Sequence, residues 1–344
     1  MEDLFTSASG DDTIPAVIWL ATIAGFAGLF IFDFVTHVRK AHEPSFREAA
    51  FWSIFYIVLA CLFGGGVFWF WDHVHGIEFF AGFITEKSLS VDNLFVFVII
   101  MKSFQVPRED QQKALLIGIV LALIMRGIFI AIGAAAIERF AWVFYIFGLF
   151  LLWTAWKLAV ESLSGHKQTD GEYEPNVFVK WFQTHLPVTS EFEGNALTVK
   201  RDGKRFYTPM VIVIIALGMT DILFALDSIP AIYGLTDAPY IVFTANAFAL
   251  LGLLQLYFLL GGLLDRLVYL GFGLALVLGF IGVKLIFHAL EENSLPFING
   301  GQPIESMPHI STPLSLGVII GILVITTIAS LLKSRSMGSS SGDH

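Results

Sequence analysis

Sulfur and charge are scarce in this chain. It has one cysteine, Cys61, set inside an apolar run, so it offers neither an intrachain disulfide nor a paired-thiol metal motif. Charged residues make up only 14%, the net charge is −9, and no basic patch alternates with aromatics, which argues against a nucleic-acid partner. No phosphate loop, dinucleotide fingerprint or nucleophile–histidine set can be found, so an enzyme is not expected. The runs Gly148 to Ala155 and Gly271 to Ala275 are small-residue helix faces rather than phosphate loops. The amino end also lacks the positive start of a signal peptide. Met1-Glu2-Asp3 and Asp11-Asp12 precede an apolar run too long for one, so the first segment should stay as an anchor.

What the chain does have is apolar length. Of 344 residues 56% are hydrophobic and 34 are Phe, with a mean hydropathy of +0.75. No soluble domain of that size could bury so much apolar surface, so the composition predicts an all-α polytopic membrane protein. Nine runs are long enough to span as helices of about 20 residues. They cover approximately 14–37, 49–71, 77–101, 114–136, 140–160, 209–233, 241–263, 267–290 and 313–332. By the positive-inside rule, 15 of the 20 basic residues fall on one side of this layout and only Arg139 on the other. The remaining four, Lys87, Arg126, Lys157 and Lys284, lie within spans. The amino end is therefore expected outside and the carboxyl end in the cytoplasm of a bacterial inner (plasma) membrane.

The polar loop 162–208 falls on the cytoplasmic side. Its segment 198–207 reads as a hairpin turning at Asp202-Gly203, within a small folded flap. The Gly/Ser-rich tail Ser336–His344 is expected to be disordered.

Two stretches break the apolar pattern. Glu86-Lys87-Ser88-Leu89-Ser90-Val91-Asp92-Asn93 lies in the third run, and Asp221-Ile222-Leu223-Phe224-Ala225-Leu226-Asp227-Ser228 lies in the sixth. Carboxylates in hydrocarbon cost several kcal/mol unless something compensates them. The two stretches also align as a repeat. Glu138-Arg139 with Asp265-Arg266, and Lys157-Leu158 with Lys284-Leu285, share one offset of 127 residues; the acidic stretches are offset by 135. Each unit holds three spans, 77–160 and 209–290, and an odd number forces the copies to face opposite ways. The chain then divides into a two-helix segment 1–76, repeat one 77–160, the loop 161–208, repeat two 209–290, and 291–344 with an external loop, the last helix and the tail. Spans one, two and nine lie outside the repeat and read as packing elements or the contact face of a homodimer.

On a regular helix, residues seven apart share a face, whereas residues six apart diverge by about 120°. Glu86 therefore pairs with Asn93, and Asp221 with Ser228. Asp92 and Asp227 join them only if the helices unwind locally. Ser88 and Ser90 can compete for backbone hydrogen bonds in the first stretch, and Pro230 frees the carbonyl of Leu226 in the second. Broken helices would complete an all-oxygen cage suited to Mg²⁺, Mn²⁺ or Ca²⁺ rather than Zn²⁺ or Cu⁺. The competing reading is that the carboxylates pair with intramembrane cations, Lys87 and Arg126 being available, and only hold helices together. Arg126 would then either balance an unfilled cage or brace one carboxylate permanently. Asn246, Thr244 and Gln255 read as interhelical hydrogen-bonding residues, and Asp33 and His37 as solvated at the interface. Asp72, His73 and His75 form a surface cluster, and Gly64-Gly65-Gly66 and Gly261-Gly262 mark close helix packing.

These two stretches resemble the signature motifs of the TerC family, in its Alx-type, nine-span branch. So do Met125-Arg126, Glu138-Arg139-Phe140, His185-Leu186-Pro187, Phe243-Thr244-Ala245-Asn246, Leu256-Tyr257-Phe258 and Gly282-Val283-Lys284. The resemblance is densest from Phe51 to Leu290. It implies a lysine-exporter-like membrane protein of a family named for tellurium-resistance loci. Members are associated with manganese efflux, with metallation of exported proteins, or with membrane-protein biogenesis. Carried over, the family's acidic motif positions are Glu86, Asp92, Asn93, Asp221, Asp227 and Ser228, with Lys87, Ser90, Arg126 and Asn246 in support. The chain departs from the pattern at Gly218, where many relatives carry Glu, and at Leu254, where many carry Arg. The resulting expectation is a secondary transporter with no tightly bound cofactor, exporting Mn²⁺ against protons. The alternatives are a Ca²⁺ or Mg²⁺ pathway and an assembly factor acting through the loop.

Overall fold

The computed structural model describes residues 14–38, 44–140, 142–163, 204–260, 269–291 and 310–340, and with gaps 179–201 and 293–308. Its α-helices are α1 Ala16–Asp33, α2 Phe46–Phe70, α3 His73–Ser103, α4 Arg108–Arg139, α5 Val143–Leu163, α6 Pro209–Tyr233, α7 Pro239–Leu250, α8 Leu253–Leu260, α9 Leu270–Glu291 and α10 Thr312–Ser340. A short π-helix, Phe34–Val38, extends α1. Strands β1 Thr198–Arg201 and β2 Lys204–Tyr207 form the expected antiparallel hairpin; its Asp-Gly turn lies outside the described residues, as do Asp265, Arg266, Gly261 and Gly262.

Eight helices among the described residues are long and apolar enough to cross a membrane, with α7 and α8 counted as one. The expected third run lies on α3, a 31-residue helix. It is not among the eight, and with Glu78, Glu86, Lys87, Asp92 and Lys102 in its sequence α3 carries a polar cost that its neighbours must offset.

Contacts within three helix pairs set the helix directions. Gly118 packs on Leu217, and the Tyr233 hydroxyl donates to the Ile130 carbonyl (2.8 Å), so α4 and α6 run parallel. Gly82 packs on Ala245 and Lys87 reaches Ala249, so α3 and α7 also run parallel. By contrast, Gly82 meets Ile232 while Leu94 to Met101 share a cluster with Met210 to Leu217, making α3 antiparallel to α6. α5 and α9 are the closest pair. A Cβ on Gly148 would lie 3.1 Å from the Gly282 carbonyl oxygen, and one on Gly282 equally close to that of Gly148. Backbones can approach this closely only where side chains are absent, which is how helices attract in lipid without a hydrophobic drive.

Two expectations about helix continuity are corrected. Neither acidic stretch is unwound; α3 and α6 run through them as α-helix, with Pro230 accommodated inside α6. The break lies instead between α7 and α8. Leu251 leaves helical geometry (ψ 132°) and Gly252 takes φ +75°, a left-handed conformation that favours glycine. The tail is ordered further than expected, since α10 continues through Ser340.

At the hairpin end, the flap is fastened to the bundle. Tyr207 donates to Pro187 and Thr208 to Leu197, and β2 passes into α6 through Thr208 alone. Phe182, Leu186, Val188, Phe192 and Leu197 pack on the cluster built by α3, α4, α6 and α8. At the opposite end, Asp72 caps α3 by accepting from the His75 backbone N–H (2.8 Å) and also meets the His75 ring. The surface cluster expected at Asp72 and His75 is therefore a helix cap. Gly64 does serve close packing, against Phe79, but Gly65 and Gly66 face open space.

Partial burial alone would raise the Asp72 pKa, but the two bonds from His75 and its charge outweigh it and hold the carboxyl below the usual aspartate value. This stabilisation is present above the unfolded-state value of about 3.9 and disappears as pH falls through the lower folded one. Replacing Asp72 by Ala should cost ~1 kcal/mol at neutral pH, and the difference in melting temperature from wild type should shrink on acidification below pH 4. In the α5–α9 contact, Gly148→Val should destabilise by about 1–3 kcal/mol through overpacking. Gly279→Ala, where the nearest atom to a new Cβ is 3.7 Å away, should leave the detergent melting curve unchanged.

Candidate functional site

Four helices deliver polar groups to one buried point. α4 carries Arg126, which has no exposure. Its guanidinium grips Asp221 of α6 with both edges, Nε to Oδ2 at 2.9 Å and Nη2 to Oδ1 at 3.0 Å. Nη1 donates to Asn246 Oδ1 of α7 at 2.9 Å, to Ser228 Oγ of α6 at 3.2 Å, and closely to Glu86 Oε1 of α3. The planar fork of arginine suits a bidentate carboxylate and still leaves N–H groups for further acceptors. Two carboxylates and one guanidinium share a fully enclosed space, which with both acids ionised carries one net negative charge.

The seven-residue spacing works as expected on α6: Asp221 and Ser228 share a face and both meet Arg126. On α3, Asn93 is buried on the face of Glu86. Asp227 is only half-buried and lies off that face. The side chain of Asp92 lies outside the described residues. Among the described residues, no three His, Cys, Asp or Glu side chains converge as a metal cluster. Among the described residues, two acids, one from each acidic stretch, are drawn to one guanidinium. Arg126 braces two carboxylates where the sequence suggested one. Asn246 makes the interhelical bond expected of it and orients itself by donating Nδ2 to Val242 of its own helix (2.9 Å). Thr244 bonds only carbonyls of its own helix.

Lys87 does something the sequence did not suggest. Its ammonium donates to the carbonyls of Ala249 (3.0 Å) and Leu251 (3.2 Å), the backbone oxygens freed where α7 breaks. Unsatisfied carbonyls at membrane depth are costly, and a cation at a helix carboxyl end is favoured by its dipole. The signals available in sequence were Gly252 within one apolar run and, in another, Lys87, a lysine that no carboxylate spacing explained. Ser88 donates to its own helix at Ile84 (2.7 Å) as expected, whereas Ser90 Oγ does not.

Asp33 was read as solvated, but it is 2% exposed and accepts a bond from the Tyr56 hydroxyl of α2. Its position at the end of α1, just before the π-helix, suggests solvent, yet it packs against α2. Glu78, not singled out in the sequence, accepts from Thr236 (2.6 Å) at the end of the bundle away from the hairpin. At the two departures from the family pattern, a Cβ on Gly218 would lie 2.5 Å from Leu121 Cδ2, and Leu254 is buried in the cluster of α3, α4, α6 and α8. Apolar packing fills both places.

The profile of the integral membrane protein TerC family matches residues 71–337. The chain is 49% identical over 320 residues to an uncharacterised membrane protein of Mycobacterium tuberculosis, covering 93% of this chain and 80% of that one. It is 37% identical to an uncharacterised membrane protein of Myxococcus xanthus, covering 96% and 98%. It is 36% identical to Alx of Escherichia coli, described as a candidate membrane-bound redox modulator, covering 84% and 86%. No solved structure matches the chain significantly. The match over most of the chain, joined to a helical bundle whose two acidic stretches meet at one buried arginine, makes this protein a member of the TerC family of multi-pass membrane proteins.

Proposed function

We propose that this protein is a secondary transporter that exports a divalent metal cation, foremost Mn²⁺, from the bacterial cytoplasm in exchange for protons. The observation that carries the reading is the meeting of Glu86 and Asp221, one from each acidic stretch, at a single guanidinium in a fully buried site. Glu86 Oε2 remains without a partner there. A buried, incompletely satisfied carboxylate is expensive to maintain for architecture alone.

The helix directions support an inverted pair of three-span units. α3 packs along α7 and α4 along α6, while α3 opposes α6, and α5 opposes α9, since Gly148 meets Gly282 and Ser162 meets Gly271. That is the pattern produced by a two-fold axis in the membrane plane, with the site at the interface between the units. The α7–α8 break lies in the middle of the second unit, next to the site. Counting α3 as membrane-crossing completes nine spans and leaves the amino end outside.

Arg126 acts as an internal counter-cation. When it withdraws, the oxygens of Glu86, Asp221, Ser228 and Asn246 are the donors offered to the cargo, all hard ligands of the kind Mn²⁺ or Mg²⁺ accepts. Protons are the counter-ions of this exchange, moving opposite to the cargo. The redox description belongs to the relatives. The one cysteine here, Cys61, lies exposed on α2 and offers no thiol–disulfide couple within a chain.

A second reading has its own support: the bidentate grip of Arg126 on Asp221 is the geometry of a permanent clamp. The two readings separate in a variant that keeps hydrogen bonding and removes charge. Glu86→Gln, Arg126→Gln and Asp221→Asn together should insert and fold. They should also abolish protection of a manganese-sensitive cell, with efflux of ⁵⁴Mn lost by ~100-fold or more, since removing ligand charge removes cargo binding. Wild-type efflux in the triple variant would leave the cluster a clamp. Arg126→Ala alone should destabilise by about 3–5 kcal/mol, because it strands two buried carboxylates; thermal melting in detergent measures it.

A further inference from the structure

Several buried polar groups are unused by the Arg126 cluster. Ser90 Oγ, Gln255 Nε2 and both amide atoms of Gln112 are enclosed and meet no hydrogen-bond partner, like Glu86 Oε2 itself. Leaving such groups unmatched is costly, and protein interiors normally cover them with ordered water.

These groups stand at successive depths on three helices, between the Arg126 cluster and the hairpin end. Ser90 is one turn beyond Glu86 on α3, about 40° around the helix and toward the hairpin end. Asn93, a further turn along, is also buried on that side. Gln255 stands on α8 four residues past Leu251, whose carbonyl is held by Lys87, the neighbour of Glu86. Gln112 lies in the opening turns of α4, beside Gln111. The Gln111 amide accepts from the Tyr257 hydroxyl (3.1 Å), two residues beyond Gln255, and donates to Val106 (3.0 Å) at the hairpin end. Three helices, α3, α8 and α4, thus each place a neutral polar side chain between the Arg126 cluster and that end. The neighbouring core residues at these depths are apolar, among them Leu94, Phe97, Leu116, Leu253 and Leu254.

We propose that Ser90, Gln255 and Gln112 line a hydrated track connecting the Arg126 cluster to the hairpin end of the bundle, and that the cation reaches Glu86 and Asp221 along it. Hydroxyl and amide oxygens can stand in for part of a cation's water shell without holding it as a carboxylate would, which suits passage rather than storage. The identity of the traveller rests on the transport reading; the presence of water does not.

The test is thiol labelling of the full-length protein in sealed membrane vesicles, in a Cys61→Ser background. Ser90→Cys, a near-isosteric change, Gln255→Cys and Gln112→Cys are each exposed to a small, charged, membrane-impermeant methanethiosulfonate applied to one face at a time. Leu151→Cys, fully buried in the α5–α9 core, is the control. Each track position should react from the hairpin face at least ~10-fold faster than Leu151→Cys, which reacts only through local unfolding. Mn²⁺ should slow the reaction at Ser90→Cys.

Reaction of Ser90→Cys and Gln255→Cys no faster than the control, or only from the opposite face, would overturn the track. A control as reactive as the track positions would overturn it too. Fast, one-sided labelling in a protein that moves no manganese would uphold the water-filled track while removing the transport reading.

Discussion

An arginine in the middle of a membrane helix cannot be solvated by lipid, so the protein around Arg126 must supply what water would. It does so with acceptors drawn from three other helices: Glu86 from α3, Asp221 and Ser228 from α6, and Asn246 from α7. Because a guanidinium is flat and its N–H directions are fixed, these bonds set the height and rotation of each helix relative to α4. Small residues then allow the helices to approach, as Gly118 does against Leu217 and Gly82 against Ala245. The demand for neutralisation and the demand for close packing are met by the same arrangement.

Lys87 repeats this logic on a smaller scale. Breaking α7 at Leu251 frees backbone oxygens at a depth where water is scarce, and the adjacent helix provides an ammonium to meet them. Arg126 and Lys87 therefore both face oxygen atoms, one set from side chains and the other from backbone. Glu86 and Lys87 are adjacent in sequence but lie about 100° apart on α3, so one turn of helix serves both centres. A shift of α3 would disturb both together, which gives a physical route for coupling them.

Much of this could be read from sequence. The helical membrane class, the positions of the long helices, the hairpin at 198–207 and the pairing of Asp221 with Ser228 follow from apolar length, turn chemistry and the 3.6-residue period. Residues whose partners lie on distant helices could not be read so directly. Nothing local says that Arg126 takes both Glu86 and Asp221 rather than one of them, since spacing along one helix carries no information about a neighbour's rotation. The unwinding expected at the acidic stretches fails for the same reason. A guanidinium on a distant helix gathers Glu86 and Asp221 with the backbone of both stretches intact. Asp33 illustrates the converse, because its position near a span end suggests water, while it is buried against α2 with the Tyr56 hydroxyl as its partner.

The amino-acid sequence by itself determined which segments must be helical and buried in lipid, because apolar length and scarce charge leave no other stable state. It also determined which residues would be anomalous there, Glu86, Lys87, Arg126 and Asp221 among them. Tertiary structure alone decided how those anomalies cancel: which carboxylates share the guanidinium, where the helix breaks and which lysine closes the break. Those outcomes depend on the relative height and rotation of helices far apart in the chain, quantities set by packing and charge neutralisation in three dimensions.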